Sequence, residues 1–245
     1  MEFGIFSNGS RPNRPQAQAW AEDLYEIVLG DKLGFQEAWV SEHAVAGEFL
    51  ICKAAALTKQ IKLGPGVRSL PLYHPAQVAS EANTVDHLTN GRYLLGCGVG
   101  FFPTRMNERG IDPALGHDMA RESLDFITRC WTEPEPFDFN GRFWNGKAIK
   151  VRPEPYQRPH PPIAMACSDT RESAELAGER GYWILFGSTA DPVYQRLVDY
   201  YNIVGGFGTL MFHMGRDYGS RRGRARSMRL FMEQVAPRLR TLNPD

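Results

Sequence analysis

The sequence predicts an α/β fold, a barrel of parallel strands with helices around it, and three observations carry that prediction. Short apolar runs alternate with helix-periodic segments almost from end to end, the βαβα pattern of a parallel sheet. Two ionisable residues, Glu42 and His43, stand where the apolar run Ala38-Trp39-Val40 stops. In a barrel of this kind the C-terminal ends of the strands are where chemistry is done. The chain has 245 residues, 42% of them hydrophobic, enough for one large barrel or two modest domains. The unbroken alternation favours a single domain over 1–245.

The elements follow in order. Residues 2–7 read as a strand. Residues 16–33 have helical spacing, with Trp20, Leu24, Ile27 and Val28 on one face, and Gly34 ends that helix. Strands are expected at 35–41, 61–69 and 92–99, each followed by a helix, at 49–58, 76–88 and 117–131. The segment 134–152 is an excursion. In it Asn140-Gly141 lies between two aromatic runs, Phe137-Asp138-Phe139 and Arg142-Phe143-Trp144, a two-residue hairpin signal. A proline-rich connector, 153–162, returns the chain to the barrel. Strand 163–167 and helix 171–180 come next, then strand 182–186 and helix 192–203, then strand 207–213 and a closing helix 221–239. Seven strand–helix units are visible in the sequence, where a closed barrel has eight. The shortfall falls between Ser188 and Thr189, where the chain passes directly from a strand to a helix.

Bulk properties exclude several classes. Lys plus Arg equals Asp plus Glu at 28 each, so the net charge is zero. Neither nucleic acid nor an anionic membrane surface is an expected partner. The six arginines of 216–229 read as the solvated face of the closing helix. Cys52, Cys97, Cys130 and Cys167 have no paired spacing, so neither a metal site nor a disulfide framework is expected. The N-terminus lacks a basic stretch followed by an apolar one, and no apolar run could span a bilayer. The expectation is a soluble cytoplasmic protein.

Candidate site residues sit at strand ends. Glu42 and His43 read as an acid–imidazole pair on the barrel rim, with a solvated cap as the alternative. Ser168-Asp169-Thr170 opens the helix 171–180. Its main-chain N–H groups and two hydroxyls could bind an anion, or serve as an ordinary N-cap, and Asp169 must face away for an anion to sit there. Gly96-Cys97-Gly98-Val99-Gly100 lacks the spacing of a dinucleotide-binding fingerprint. Its small residues are expected to leave room for a flat ring. His74 reads as a turn-stabilising residue and His87 as a helix-end cap. His213, at the end of the last strand, could face the pocket. Arg105 and Arg109 could meet a phosphate or be satisfied by solvent and Glu108.

Several pieces in one order resemble the luciferase-like flavin monooxygenases. They are Glu2-Phe3-Gly4-Ile5-Phe6, Ser41-Glu42-His43, Leu70-Pro71-Leu72-Tyr73-His74-Pro75, Asp86-His87-Leu88-Thr89-Asn90-Gly91-Arg92, the glycine run 96–100, the strand 163–168 and Gly205-Gly206-Phe207-Gly208-Thr209. The resemblance covers nearly the whole chain. It implies a TIM-like (β/α) barrel with an excursion after the fourth helix. It also implies reduced FMN as cofactor, a separate flavin reductase that supplies it, and O2 as co-substrate. Glu42 and His43 fall on the family's acid–histidine pair, with the histidine near the flavin. Gly66 and Val67 fall where the backbone approaches the isoalloxazine ring, Gly98 and Val99 beneath the flavin, and Ser168, with Thr170 beside it, on the phosphate. Two departures stand out: Ala44 replaces a second histidine, and one strand–helix unit is missing. The function implied is a homo-oligomeric monooxygenase that inserts one oxygen atom into a small, apolar substrate. A flavin-binding protein of the same fold without turnover, and a deazaflavin-dependent oxidoreductase, are the alternatives. A histidine beside the ring can exchange a proton near neutral pH, and flavin oxygen chemistry needs a dry pocket.

Overall fold

Ten strands are defined in a computed structural model that describes residues 2–7, 9, 11, 14–42, 47–100, 103–167, 171–185, 209–214 and 220–237. They are β1 (Glu2–Ser7), β2 (Glu37–Val40), β3 (Lys62–Pro65), β4 (Arg68–Ser69), β5 (Leu95–Gly98), β6 (Phe137–Asn140), β7 (Asn145–Ile149), β8 (Ile163–Ala166), β9 (Trp183–Leu185) and β10 (Thr209–Met214). The helices are α1 (Gln16–Leu33), α2 (Gly47–Ala55), α3 (Pro75–Leu88), α4 (Pro103–Asn107), α5 (Gly116–Thr132), α6 (Arg171–Arg180) and α7 (Arg221–Leu230).

Apart from the β6–β7 hairpin, every strand pair is parallel. One half of the sheet has the order β10-β1-β2-β3 and the other β4-β5-β8-β9, and a bridge between Leu63 and Tyr93 joins them. β3 and β4 are the two pieces of the expected strand 61–69. They are separated by Gly66 and Val67, whose peptide bond is cis. The first strand lies against the last, from Glu2↔Thr209 to Ser7↔Met214. This is the α/β arrangement expected from the alternation. The Ser188–Thr189 join and the expected helix 192–203 lie outside the described residues. No described helix is long and apolar enough to cross a membrane.

Three expectations are corrected. The hairpin is wider than a two-residue turn: Asn140 pairs with Asn145, and 141–144 form the loop. The cause is Glu122 on α5, whose carboxylate accepts from the N–H groups of Arg142, Phe143 and Trp144 at 2.9, 2.9 and 2.8 Å. Those three amides are therefore not available to a second strand. The closing helix is shorter than 221–239 as a regular α-helix, because its hydrogen-bond ladder widens into a π turn at Phe231–Val235. The short helix α4 and a 3-10 turn at Pro113–Leu115 were not expected at all.

The third correction concerns α1. Of its expected apolar face Ile27 is buried and Leu24 packs against the core, but Trp20 is 37% exposed, and acidic residues share the buried side. Glu22, Asp23 and Glu26 point inward onto arginines. Arg11 donates to Asp23 at 2.5 Å and to Glu26 at 2.9 Å. Arg224 of α7 donates to Glu26 at 2.6 Å and to Glu22 at 2.5 Å, and Arg14 pairs with Glu22 as well. Of the arginines assigned to a solvated face, Arg224 is therefore buried, and it fastens the last described helix to the first. Burial works against the Glu22 charge, but the hydrogen bond from Arg224 and the charge of Arg11 outweigh it and hold that carboxyl below its ordinary range.

Below the C-terminal strand ends Trp39 is fully buried with Leu94 and Ala164 and packed by Phe6 and Leu185. Its indole N–H donates to Glu37 at 2.9 Å. The indole fits because its neighbours have no side chains. A Cβ on Gly64 would lie 2.7 Å from Trp39 Cζ3, and one on Gly96 would lie 1.9 Å from the Pro65 carbonyl oxygen and 2.8 Å from the same ring. Gly96→Ala is therefore expected to destabilise the fold by about 3 kcal/mol or more in urea unfolding. Gly178→Ala on α6, where nothing lies within 4 Å, should be neutral or stabilising by up to about 1 kcal/mol. Equal effects of the two substitutions would contradict this packing.

Candidate functional site

Three strand ends and one short helix converge on a small recess of about 80 Å³, open on one side. That volume is below the roughly 300–1,000 Å³ of whole small-molecule sites, so these residues form one wall of a site and not an enclosed pocket. Ser41 and Glu42 follow β2. Gly66 and Val67 lie between β3 and β4, and Ser69 and Leu72 come next. Val99 and Gly100 follow β5, and Arg105 and Met106 belong to α4. Four of the expected residues, Glu42, Gly66, Val67 and Val99, thus line one pocket. Gly98 lies just behind it. A Cβ there would meet Ala166 at 3.2 Å and Val67 at 3.3 Å, and a Cβ on Gly66 would meet Phe6 at 2.8 Å. The space these glycines leave is filled by protein, and what they contribute to the pocket is close-packed main chain. His43, Ser168 and Thr170 lie outside the described residues, as does Asp169.

Glu42 is 3% exposed, and its carboxylate is held from behind. Oε2 accepts from the Ser69 N–H at 2.9 Å, and Oε1 lies 3.4 Å from Arg68 Nη1. Oε1 is buried and has no hydrogen-bond partner among the described residues. Arg68 is the hub of this wall. It donates to Glu48 of α2 at 2.9 Å and to Glu81 of α3 at 2.6 Å, and its guanidinium lies 3.6 Å from the centre of the Tyr73 ring. Burial disfavours the Arg68 cation, but Glu48 and Glu42 more than offset it and raise its pKa. Burial also raises the Glu48 carboxyl despite Arg68. The Tyr73 phenol is pushed up by burial and then by the Glu42 charge, so it stays protonated and neutral at physiological pH.

The remaining candidates separate cleanly. Arg105 reaches the pocket, and its Nη1 donates to the Glu42 carbonyl oxygen at 2.7 Å rather than to Glu108. Arg109 turns back to the Arg105 carbonyl at 3.3 Å. His74 stabilises its turn as expected: its Nδ1 accepts from the Ala76 N–H at 3.2 Å and caps α3. His87 does not cap. Its Nε2 meets the Glu154 carbonyl at 2.9 Å, because α3 carries the proline-rich connector along this side. Among the described residues no group of three or more His, Cys, Asp or Glu is placed to hold a metal ion.

Arg68 was missed as a site residue, yet the sequence carries its signal. It is a cation in a run that otherwise reads as a buried strand, and a buried charge requires partners. Glu48 and Glu81, on the two helices that flank that strand, supply them.

The sequence profile of the family described as luciferase-like monooxygenase matches residues 1–204. The chain belongs to this family. A 4-hydroxyprotoasukamycin monooxygenase from Streptomyces nodosus subsp. asukaensis is 36% identical over 190 residues, covering 74% of this chain and 51% of the relative. The oxygenase component of a flavin-dependent trigonelline monooxygenase from Acinetobacter baylyi is 29% identical over 192 residues, covering 74% of this chain and 52% of the relative. The chain spans about half the length of the curated relatives it matches. Among solved structures, the oxygenating constituent of 3,6-diketocamphane monooxygenase from Pseudomonas putida, in complex with FMN, superposes with a TM-score of 0.81 at 22% identity, covering 97% of this chain and 98% of that one. That likeness is one of fold.

In this luciferase-like chain Arg68→Met would leave Glu42 and Glu48 buried without their cation. The expected loss is about 3–5 kcal/mol of stability in urea unfolding. Arg68→Met combined with Glu48→Gln should recover part of it. A loss below about 1 kcal/mol would show that the guanidinium is not needed by its neighbours.

Proposed function

We propose that the chain carries the cofactor pocket of an FMN-dependent monooxygenase, which uses O2 to oxygenate a small organic substrate. One observation supports this reading above the others. In a luciferase-like chain, the expected ring-facing residues Gly66, Val67 and Val99 and the rim residue Glu42 all line a single recess at the C-terminal strand ends.

The residues fit a flavin. The wall at Gly66 and Val67 is close-packed main chain that a flat ring could lie against, and Oε1 of Glu42, 3.4 Å from Arg68, has no hydrogen-bond partner of its own among the described residues. Val67 and Val99 would flank the ring, with Gly98 behind them. The turn with Ser168 and Thr170 would take the phosphate. Reduced FMN supplies the reaction with O2 when bound, and the protein binds, orients and excludes water. His43 follows Glu42 in the chain and is the proton-holding group of the site on this reading. Glu42 serves as the fixed anchor at its side, since its own carboxylate is engaged with Ser69 and Arg68.

Reduced FMN comes from a separate flavin reductase, in keeping with a relative whose name marks it as an oxygenase component. The barrel is a single domain over 1–245 with seven strand–helix units. The missing eighth is the unit expected between Ser188 and Thr189. The protein acts in the cytoplasm as a homo-oligomer.

The purified protein should quench flavin fluorescence on titration with FMN. After reduction and exposure to air it should yield oxygenated product from a suitable substrate. Ser168→Asp should weaken FMN more than riboflavin, because it repels only the phosphate. His43→Ala should keep FMN binding, lower product per O2 consumed and raise the hydrogen peroxide released. Absence of flavin binding would reject the reading. Binding with peroxide as the only outcome, for every substrate tried, would favour a flavin-binding protein without turnover.

A further inference from the structure

We propose that Arg105 is the oxyanion-recognising residue of the pocket, and that the bound organic ligand presents a carboxylate or phosphate oxygen to it. The inference rests on the flavin reading only for the source of that oxyanion. The other two charged groups of this wall already have charged partners: Glu42 faces Arg68, and Arg68 is taken up by Glu48 and Glu81. Arg105 differs. Among the described residues its side chain makes one hydrogen bond, from Nη1 to the neutral carbonyl of Glu42 at 2.7 Å. Among the described residues no carboxylate lies within ion-pairing distance of it. A guanidinium has five N–H donors in a planar fork that fits a carboxylate or phosphate in two-point contact. One of them anchors the fork to the end of β2, so the rest are held at the pocket and not dispersed in solvent.

The surroundings suit an organic anion. Arg105 shares the recess with the apolar side chains of Leu72, Val99 and Met106 and with the hydroxyl residue Ser69. That is one cation beside an apolar wall, a pattern that orients a ring or chain with a charged end. The negative Glu42 does not cancel it, because Arg68 lies 3.4 Å from Oε1 on the other side. The substrate implied by the family resemblance is small and apolar. The pocket points instead to one that carries an acidic group, unless the cofactor's phosphate takes this place.

The bland alternative is that Arg105 only latches α4 to the Glu42 main chain, and three substitutions separate the two roles. Arg105→Gln keeps a donor for that carbonyl but has no charge. Arg105→Lys keeps charge without the fork. Arg105→Met loses both. Affinities of the wild-type protein and each variant are measured by equilibrium titration for two pairs of probes, FMN against riboflavin and benzoate against benzyl alcohol, with far-UV circular dichroism as the check on folding.

The result expected is that Arg105→Gln weakens benzoate by about tenfold or more and leaves benzyl alcohol unchanged, with Arg105→Lys in between. The same selective loss on FMN over riboflavin would also support an oxyanion site, and would assign the anion to the cofactor. Equal loss for charged and neutral probes, or no loss for either, would overturn the proposal and leave the latch. The flavin reading is judged separately. A wild type that binds neither flavin but prefers benzoate rejects that reading and keeps the Arg105 site. A wild type that binds both flavins equally and shows no preference for benzoate does the reverse.

Discussion

A single guanidinium, that of Arg68, is held out of water between Glu42, Glu48, Glu81 and the face of Tyr73, and the pocket wall depends on it. These partners come from the end of β2, from α2, from α3 and from the turn after β4. One buried cation therefore ties two strand ends to the two helices that pack behind them. Removing it would leave carboxylates buried with their charge uncompensated, which is far more costly than losing a surface pair. The wall also gains its direction from this cluster. With Oε2 of Glu42 on the Ser69 amide and Oε1 toward Arg68, the carboxylate is a fixed part of the rim. The segment that follows Glu42 starts from a fixed point, and Arg105 holds the Glu42 carbonyl from the other side.

Below that wall, packing and not charge sets the shape. Trp39 fills the core between the strands and forces those beside it to be bare at Gly64 and Gly96, while Phe6 does the same at Gly66. The glycines of β3 and β5 therefore answer first to the core and only then to a ligand. Around the outside, the acidic face of α1 on Arg11 and Arg224 joins the first helix to α7, in step with the pairing of β1 and β10. Sequence-distant parts of the chain are thus joined twice, by the main-chain ladder between β1 and β10 and by the ion pairs between α1 and α7.

Much of this was legible in the residues. The alternation of period-2 and period-3.6 patterns placed β1, α1 and α6 at their observed bounds, and the rim position of Glu42 followed from the end of an apolar run. The parts that were not legible have a common physical cause. On α1, Trp20 and Leu24 suggested an apolar inner face, but local periodicity cannot reveal that Arg11 and Arg224, the latter some 200 residues away, would meet its carboxylates. The same holds for Glu122, which reshaped the hairpin loop from a neighbouring helix. It holds too for Arg68, whose partners lie on α2 and α3. Charges that find each other through tertiary structure leave only a weak trace in sequence: an ionisable residue in a run that should be apolar. The roles assigned to His43, Ser168 and Thr170 rest on the family resemblance, since those residues lie outside the described ones.

The central claim, that a buried ion cluster fixes the pocket wall, meets its most direct test in hydrogen exchange at the Ser69 amide. In the wild-type protein this N–H is enclosed and bound to Glu42 Oε2, so it should exchange only through large-scale opening, as slowly as the core amides of β1. In Glu42→Ala it should exchange about ten to a hundred times faster, while the β1 amides keep their protection. A Ser69 amide that exchanges as fast as an exposed loop in the wild type, or one whose rate is unmoved by Glu42→Ala, would contradict the account.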